Sequence, residues 1–145
     1  MDYLLDTNTV LRFVNTKDPL HPVVLKAVNK LEQNSERFVV VPQILVEFWV
    51  VATRPKTVNG LGLTINEAAT ELENLQKLFR VLPENERIFD EWKSLIIKYK
   101  VSGKVAHDAR IVAAMTVHKV ENILTLNAKD FKRFTEINAV EPREL

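Results

Sequence analysis

The chain has 145 residues, of which 46% are hydrophobic and 27% charged, and its formal net charge is +1. This composition is typical of a soluble globular domain and argues against intrinsic disorder, coiled coil and collagen, while the lack of cysteine excludes a disulfide framework, a thiolate nucleophile and a cysteine-rich zinc site. The longest apolar stretch, residues 38–52, is interrupted by Pro42, Gln43 and Glu47 and is shorter than the roughly 20 residues that a bilayer requires.

We therefore expect a single domain over residues 1–145, without a membrane span. The N-terminus has acids at positions 2 and 6 and lacks the basic and apolar regions of a secretory signal, so a cytoplasmic location is expected. The near-neutral charge argues against a long-range field that holds nucleic acid by charge alone, but it allows a local basic rim around a site.

Short runs of β-branched and apolar residues alternate with longer helical patterns along the chain. In chain order, the predicted elements are a strand at 3–5, a helix that begins near residue 6, a helix at 22–34, a strand at 38–41, a helix at 44–51, an irregular loop at 54–63, a helix at 64–78 with a capping box, a weak strand at 79–82, helices at 86–100 and 109–117, a strand at 123–126 and an edge strand at 137–140. This alternation predicts an α/β fold with a parallel sheet covered on both faces. Ligands bind at the carboxyl ends of the strands in such sheets, so polar residues that follow strands are candidate site residues.

Two aspartates stand where a helix is predicted to begin. Asp6 follows the first strand directly, and Asp108 precedes the helix at 109–117. Because aspartate is a favourable N-cap, the alternative for each is that it only caps its helix. His107 beside Asp108 is a weaker metal-ligand candidate, since a lone histidine is more often a packing or surface residue.

The most informative acid is Glu47. Its helix, from Ile44 to Val51, is apolar on every side in sequence, which predicts a central position in the fold. An ionised carboxylate there costs several kcal/mol unless it is paired or binds a metal. The alternative is a structural ion pair with an arginine or lysine from elsewhere in the chain.

Further polar residues follow the strand at 123–126. Thr125 ends that strand, where its hydroxyl is suited to hold a carboxylate or a water. Asn127 and Asp130 come next, and either is also compatible with capping the short turn at 131–134.

Together these residues predict several carboxylates at one edge of the sheet. Like charges that are close together raise one another's pKa unless a cation neutralises them. Hard oxygen ligands select Mg²⁺ or Mn²⁺ over zinc, and such ions stabilise the attacking and leaving oxygens of an in-line phosphoryl displacement. No Ser-His-Asp set, Cys-His set or glycine-rich phosphate loop is present.

These motifs resemble the PIN-domain family, and within it the VapC-type toxin ribonucleases of type II toxin–antitoxin operons. The resemblance covers the chain from Tyr3 to about Val140. It is carried by Leu4-Leu5-Asp6-Thr7-Asn8, by Val46-Glu47-Phe48, by His107-Asp108-Ala109-Arg110-Ile111-Val112-Ala113 and by Thr125-Leu126-Asn127 followed by Asp130-Phe131. The segments Ala52-Thr53-Arg54-Pro55 and Asn59-Gly60-Leu61-Gly62 resemble a subgroup feature.

The resemblance implies a three-layer α/β/α fold with four to five parallel strands, dependence on Mg²⁺ or Mn²⁺, and endonucleolytic cleavage of RNA such as tRNA or rRNA. By position, Asp6 and Asp108 would be the main metal ligands. Glu47 would hold a metal-bound water or a second ion and help to orient the attacking hydroxide. Asn127 occupies the place of a frequent aspartate, and Asp130 stands three residues on as the alternative fourth acid. Supporting roles fall to Asn8, Thr125 and Asn127.

The resemblance also implies partners. The protein would form a homodimer and bind a cognate antitoxin, and apolar surface on the helices at 22–34 and 64–78 is a candidate for that contact. Basic residues near the acids in sequence are candidates to position RNA phosphates, although each is compatible with a solvated surface charge: Arg12, Arg54, Lys56, Lys104, Arg110, Lys129, Lys132 and Arg133.

Two other interpretations are compatible with the residues. One is a PIN-like module that binds RNA or a partner without activity. The other is an aspartyl-phosphate phosphatase with Asp6 as nucleophile. Members of that class have another acid two residues later, where this chain has Asn8.

Overall fold

The computed structural model describes residues 1–145, and its architecture is a five-stranded sheet with six helices. In chain order the elements are β1 (Asp2–Leu5), α1 (Thr7–Val14), α2 (His21–Gln33), β2 (Arg37–Val40), α3 (Pro42–Thr53), α4 (Ile65–Leu78), β3 (Arg80–Val81), α5 (Glu86–Lys98), α6 (Val105–Val117), β4 (Asn122–Leu124) and β5 (Asn138–Val140). Short 3-10 turns lie at Lys56–Val58, Ala128–Phe131 and Pro142–Glu144. None of the helices has the length and apolar character needed to cross a bilayer.

The sheet is wholly parallel, with strand order β3-β2-β1-β4-β5. β1 therefore lies at its centre, paired with β2 on one side and β4 on the other. Consecutive side chains of a strand point to opposite faces, and both Leu4 and Leu5 are fully buried. Both faces of the sheet are thus covered by helices, which is the predicted three-layer α/β/α fold.

Two details of the predicted elements are confirmed at the level of single contacts. Thr64 and Glu67 form the reciprocal capping box at the start of α4, with the Glu67 backbone N–H 3.1 Å from Thr64 Oγ1 and the Thr64 backbone N–H 2.9 Å from Glu67 Oε1. Asp6 does cap α1, because its Oδ1 accepts from the Thr7 backbone N–H at 2.8 Å. The capping interpretation of Asp6 is therefore correct, and it does not exclude a second role.

Three predictions are wrong in detail. α3 is not enclosed on every side, since Val46 and Val50 are 63% and 53% exposed. α6 begins at Val105, four residues earlier than predicted, so Asp108 lies inside its first turn and is not its N-cap. β4 ends at Leu124: the Thr125 backbone N–H still donates to the Val140 carbonyl, but the backbone N–H groups of residues 126 and 127 donate to Asn8 Oδ1 and Thr125 Oγ1.

Candidate active site

The candidate site lies at the edge of the sheet where the central strands end. Asp6 follows β1, Thr125 follows β4, and α3 and α6 bring Glu47 and Asp108 to the same edge. A parallel sheet places the carboxyl ends of all its strands on one side, so residues distant in sequence meet there.

Asp6 is buried and held through both carboxylate oxygens. Oδ1 accepts from the Thr7 backbone N–H, while Oδ2 accepts from Thr125 Oγ1 at 2.7 Å and from Asn8 Nδ2 at 3.2 Å. Burial raises the pKa of Asp6, and the nearby charge of Glu47 raises it further, against the lowering effect of these hydrogen bonds. The structure thus holds Asp6 in one orientation.

Asn8 and Thr125 hold β1 and β4 together at this edge. Asn8 Nδ2 also donates to Thr125 Oγ1 at 3.3 Å, and its Oδ1 accepts from the Leu126 backbone N–H at 3.1 Å. The Thr125 side chain is fully buried. These two residues contact Asp6 and the backbone of the loop after β4, as expected for supporting residues.

Glu47 is half-buried and is not part of an ion pair. Its Oε2 accepts from the Thr7 hydroxyl at 2.6 Å, and its Oε1 accepts from Gln43 Nε2 at 2.9 Å. No lysine or arginine nitrogen lies within salt-bridge distance of it. The alternative of a structural ion pair for Glu47 is therefore wrong, and its charge remains uncompensated within the chain.

The surroundings of Asp108 strongly raise the pKa of its carboxyl group. Its pKa is raised from 3.8 to about 7, first by burial and then by the charges of Asp6, Asp130 and Glu47, with Arg133 acting in the opposite direction. The charges of three other carboxylates thus act on Asp108. None of the four forms a salt bridge within the chain, and Arg133 acts on Asp108 from beyond salt-bridge distance.

Of the two residues considered for the fourth acidic position, Asp130 is the one whose charge acts on Asp108. It lies in the 3-10 turn Ala128–Phe131 and is exposed. Asn127 begins that turn without a side-chain capping bond, and its backbone N–H donates to Thr125 Oγ1 at 3.1 Å. Neither side chain caps the turn, which corrects the capping alternative for both.

No three His, Asp or Glu side chains are grouped closely enough to form a ready-made metal-binding set. His107 is exposed, and only its carbonyl contacts the site, so the structure gives it no ligand role. The donor chemistry nevertheless fits a hard divalent cation. The acids at this edge of the sheet offer carboxylate oxygens that are not in salt bridges, and such hard oxygen ligands are the ones that Mg²⁺ and Mn²⁺ prefer.

Basic residues surround the acids unevenly. Lys129, Lys132 and Arg143 line a cavity of about 620 Å³, together with Asn127 and the acids Asp130, Glu141 and Glu144. Arg133 lies outside this cavity, but its charge acts on Asp108. The remaining basic candidates have partners elsewhere or do not line the cavity: Arg12 pairs with Asp18, Arg54 donates to the Asn59 carbonyl, Arg110 pairs with Glu84, and Lys56 and Lys104 do not line it.

Sequence reasoning did not assign a role to Thr7 or Gln43, although both contact Glu47. A signal for Gln43 was present, since residues four apart on a helix are neighbours and Gln43 precedes Glu47 by four. No local pattern indicates the contact with Thr7, because it joins two separate helices.

Comparison with known proteins identifies a matching family model and solved structures with a similar fold. The family model described as PIN domain matches residues 3–137, whereas no curated protein sequence matches the chain. The fold is similar to that of VapBC2 from Rickettsia felis bound to a promoter DNA fragment, with a TM-score of 0.75 at 15% identity over 97% of this chain and 98% of that one. It is also similar to VapBC-1 from nontypeable Haemophilus influenzae, with a TM-score of 0.72 at 19% identity over 98% of each chain.

A third structure, VapC20 from Mycobacterium tuberculosis, is described as a toxin that cleaves the sarcin-ricin loop. Its TM-score is 0.60 at 14% identity, over 83% of this chain and 86% of that one. At such identities the likeness concerns the fold.

Proposed function

The chain belongs to the PIN domain family, and on that premise we propose that it is a divalent-metal-dependent endoribonuclease that acts as the toxin of a type II toxin–antitoxin system. The observation that carries this proposal is that the charges of Asp6, Glu47 and Asp130 all act on Asp108, while none of the four acids forms a salt bridge with a lysine or arginine. A fold does not by itself decide a function, so the proposal depends on this site.

Asp6 and Asp108 are the proposed principal ligands of a Mg²⁺ or Mn²⁺ ion, with Glu47 beside them and Asp130 at the exposed side. Such an ion supplies Lewis acidity, activates water and stabilises the charge that develops on the phosphate. Asp6 is suited to be a fixed ligand, because three hydrogen bonds hold its carboxylate. Asp108 makes no side-chain hydrogen bond within the chain and is free to turn toward the ion.

Glu47 is the proposed residue that orients the attacking water. Thr7 and Gln43 each donate one hydrogen bond to a different oxygen of its carboxylate. Each carboxylate oxygen has two acceptor sites, so both oxygens retain one for a water proton. No histidine or cysteine lies in this arrangement, and a histidine base is therefore not part of the proposed reaction.

The proposed substrate is a folded RNA with an accessible single-stranded segment, such as tRNA or rRNA. The cavity beside Asp130 offers Lys129 and Lys132 to phosphates near the scissile bond. The net charge of +1 favours recognition by local contacts over a broad basic face. The cleavage of an rRNA loop by the structurally similar VapC20 supports this substrate class.

The proposed partners are an antitoxin and a second copy of this chain, in the cytoplasm. The VapBC structures with the same fold are toxin–antitoxin complexes. An apolar groove of about 430 Å³ lies on α3 and α4 rather than on α2. Its lining includes Val46, Trp49 and Val50 of α3 and Leu72 of α4, the helix that the sequence also favoured for partner contact. An antitoxin segment bound there would contact α3 and α4 on a surface that does not include Glu47.

The test is cleavage of total RNA by purified protein in Mg²⁺ or Mn²⁺ and in EDTA, with the cut ends mapped by sequencing. Discrete cuts that disappear in EDTA and in Asp6→Asn and Asp108→Asn are expected, whereas Asp130→Asn is expected to reduce cleavage only in part. Cuts that persist in both aspartate variants would contradict the site. RNA binding without any cutting by the antitoxin-free protein would indicate an inactive binding module instead.

A further inference from the structure

Gln43 lies between the candidate site and an ion pair near the surface. Its amide nitrogen donates to Glu47 Oε1 and to the His107 carbonyl, both at 2.9 Å. Its amide oxygen accepts from Arg110 Nη1 at 3.0 Å. The side chain therefore connects α3, which carries Glu47, with the first turns of α6, which carry Asp108.

Arg110 fixes the orientation of the Gln43 amide. A guanidinium group only donates hydrogen bonds, so the group that faces it must be the amide oxygen. The amide nitrogen then points at Glu47, which as a carboxylate only accepts. A flipped amide would set two donors against each other at Arg110 and two acceptors against each other at Glu47, and one orientation is thus strongly favoured.

Glu84 holds Arg110 in this position. It accepts from Arg110 Nη2 at 2.9 Å, and both side chains of this pair are about half exposed. Glu84 lies between β3 and α5, away from the carboxylates of the site. The guanidinium is thereby directed to Glu84 and Gln43, and its charge is balanced by an acid outside the site.

The neutral amide has an electrostatic consequence. A direct Arg110–Glu47 pair would hold the carboxylate but also compensate its charge and compete with a cation. Gln43 supplies a directed hydrogen bond without a net charge, so Glu47 is held in place while its negative charge stays available. Contacts of this kind orient the ligands of metal sites and tune their affinity.

We propose that Gln43 and Arg110 are positioning residues for Glu47, with Gln43 orienting its carboxylate and Arg110 fixing the Gln43 amide. This inference rests on the proposed function, since it assigns to Glu47 a role in the same metal-dependent cleavage. Neither residue touches the reacting atoms. Both act by keeping the Glu47 carboxylate directed at the acids of the site.

The test compares Gln43→Leu, Gln43→Glu, Arg110→Ala and Arg110→Lys with the wild type. Cleavage kinetics and Mn²⁺ affinity, measured by isothermal titration, are the two readouts. Gln43→Leu is expected to lower kcat and Mn²⁺ affinity by about 10- to 100-fold with a nearly unchanged KM. Gln43→Glu is expected to be at least as severe, because it places a second carboxylate against Glu47.

The arginine variants test the second half of the proposal. Arg110→Lys retains a hydrogen-bond donor for Gln43. Its losses of kcat and Mn²⁺ affinity are therefore expected to be smaller than those of Arg110→Ala. Tyr99→Phe is the matched control, because it removes a 2.6 Å hydrogen bond to Glu136 between α5 and the loop before β5, away from the site. It is expected to leave both readouts unchanged.

If folded Gln43→Leu retains the kcat and the Mn²⁺ affinity of the wild type, the inference is overturned. Equal losses of kcat and Mn²⁺ affinity in Arg110→Lys and Arg110→Ala would also overturn it. Melting curves of each variant show whether a loss reflects unfolding. If the wild type does not cleave RNA, the proposed function fails, and the Mn²⁺ titrations still decide whether Gln43 and Arg110 act on the site.

Discussion

At the scale of single residues, the four acids differ in how firmly the chain holds them. Asp6 is buried with three hydrogen-bond donors, and Glu47 has two, whereas Asp108 and Asp130 have none from other side chains. All four were predicted as site residues from the sequence: Asp6 and Asp130 come after strands, the charge of Glu47 is costly within an apolar helix, and Asp108 matches a motif of the resemblance to the PIN-domain family. It did not identify the donors Thr7 and Gln43, since these contacts depend on the relative placement of helices.

The first prediction concerns the stability of the metal-free protein. Asp108→Asn removes a partly buried charge that faces three other carboxylates, so in EDTA at neutral pH it should raise the melting temperature. After screening by solvent the gain is about 1 kcal/mol, or about 2–4 °C. Differential scanning fluorimetry in EDTA measures this change.

The stability that Asp108→Asn gains over the wild type should depend on pH. The pKa of Asp108 is about 7 in the folded protein and 3.8 as the ordinary value. Folding favours the protonated form of Asp108. The contribution of this group to the free energy of unfolding is therefore fully present below about pH 4 and is lost as the pH rises through 7. The difference between Asp108→Asn and the wild type should therefore shrink toward pH 4. A constant difference from pH 4 to 8 would contradict a raised pKa of Asp108 in the folded protein.

The second prediction separates stability from activity at Glu47. Glu47→Gln keeps one oxygen acceptor in nearly the same volume and removes an uncompensated charge, so the melting temperature should stay within about 2–4 °C or rise. RNA cleavage should be lost, because the amide cannot replace the carboxylate. A large fall in melting temperature together with retained cleavage would show that Glu47 is a structural residue.

At the scale of elements, local chemistry predicted most of the fold. The capping box of α4 and the β-branched strands specify their own structure, which explains why these elements match. The bounds of α6 and β4 were less predictable. α6 extends over Val105 to Asp108 without a capping side chain, and the backbone N–H groups of residues 126 and 127, after β4, donate to side-chain oxygens instead of to a neighbouring strand. The exposure of α3 depends on which helices pack against it and is not encoded in its own apolar residues.

The third prediction concerns the loop between α3 and α4. A Cβ at Gly60 would lie 1.8 Å from the Arg54 carbonyl oxygen, so the backbone of this loop must move to accept any side chain. Gly60→Ala should therefore destabilise the fold by more than Gly103→Ala, which meets no atom but requires a φ of +66° and costs about 1 kcal/mol.

Urea denaturation of the two alanine variants measures the difference. Gly103→Ala is the matched control, since the same group is added at a site with open space. Equal losses of unfolding free energy in the two variants would contradict the close contact between Gly60 and Arg54.

At the scale of the whole molecule, the nearly neutral net charge does not describe the charges around the candidate site. The net charge of +1 conceals a local group of acids without salt-bridge partners, beside a cavity whose lining contains both basic and acidic side chains. Composition excluded whole classes of function, but it did not reveal this grouping of acids, which arises only when the sheet brings its strand ends together. The apolar groove on α3 is likewise a property of the assembled helices.

The fourth prediction tests the cavity as a site for RNA. Replacing Lys129 and Lys132 together by Ala should raise KM for RNA by about 5- to 30-fold, with little effect on kcat, since each phosphate contact contributes on the order of 1 kcal/mol. The dependence of KM on salt concentration should become weaker. Replacing Lys26 and Lys30 on α2, which do not line this cavity, is the control. An unchanged KM in the first variant would place RNA elsewhere.

The most direct test of the central claim, that the four acids form one metal site, is a crystal structure of the protein soaked in Mn²⁺, with the ion located by its anomalous scattering. The account predicts a peak bound by Asp6 and Asp108, with Glu47 beside it, and no such peak in Asp108→Asn crystals. A protein that cleaves RNA in Mn²⁺ but shows no peak at these carboxylates, or one only at another place, would contradict the account.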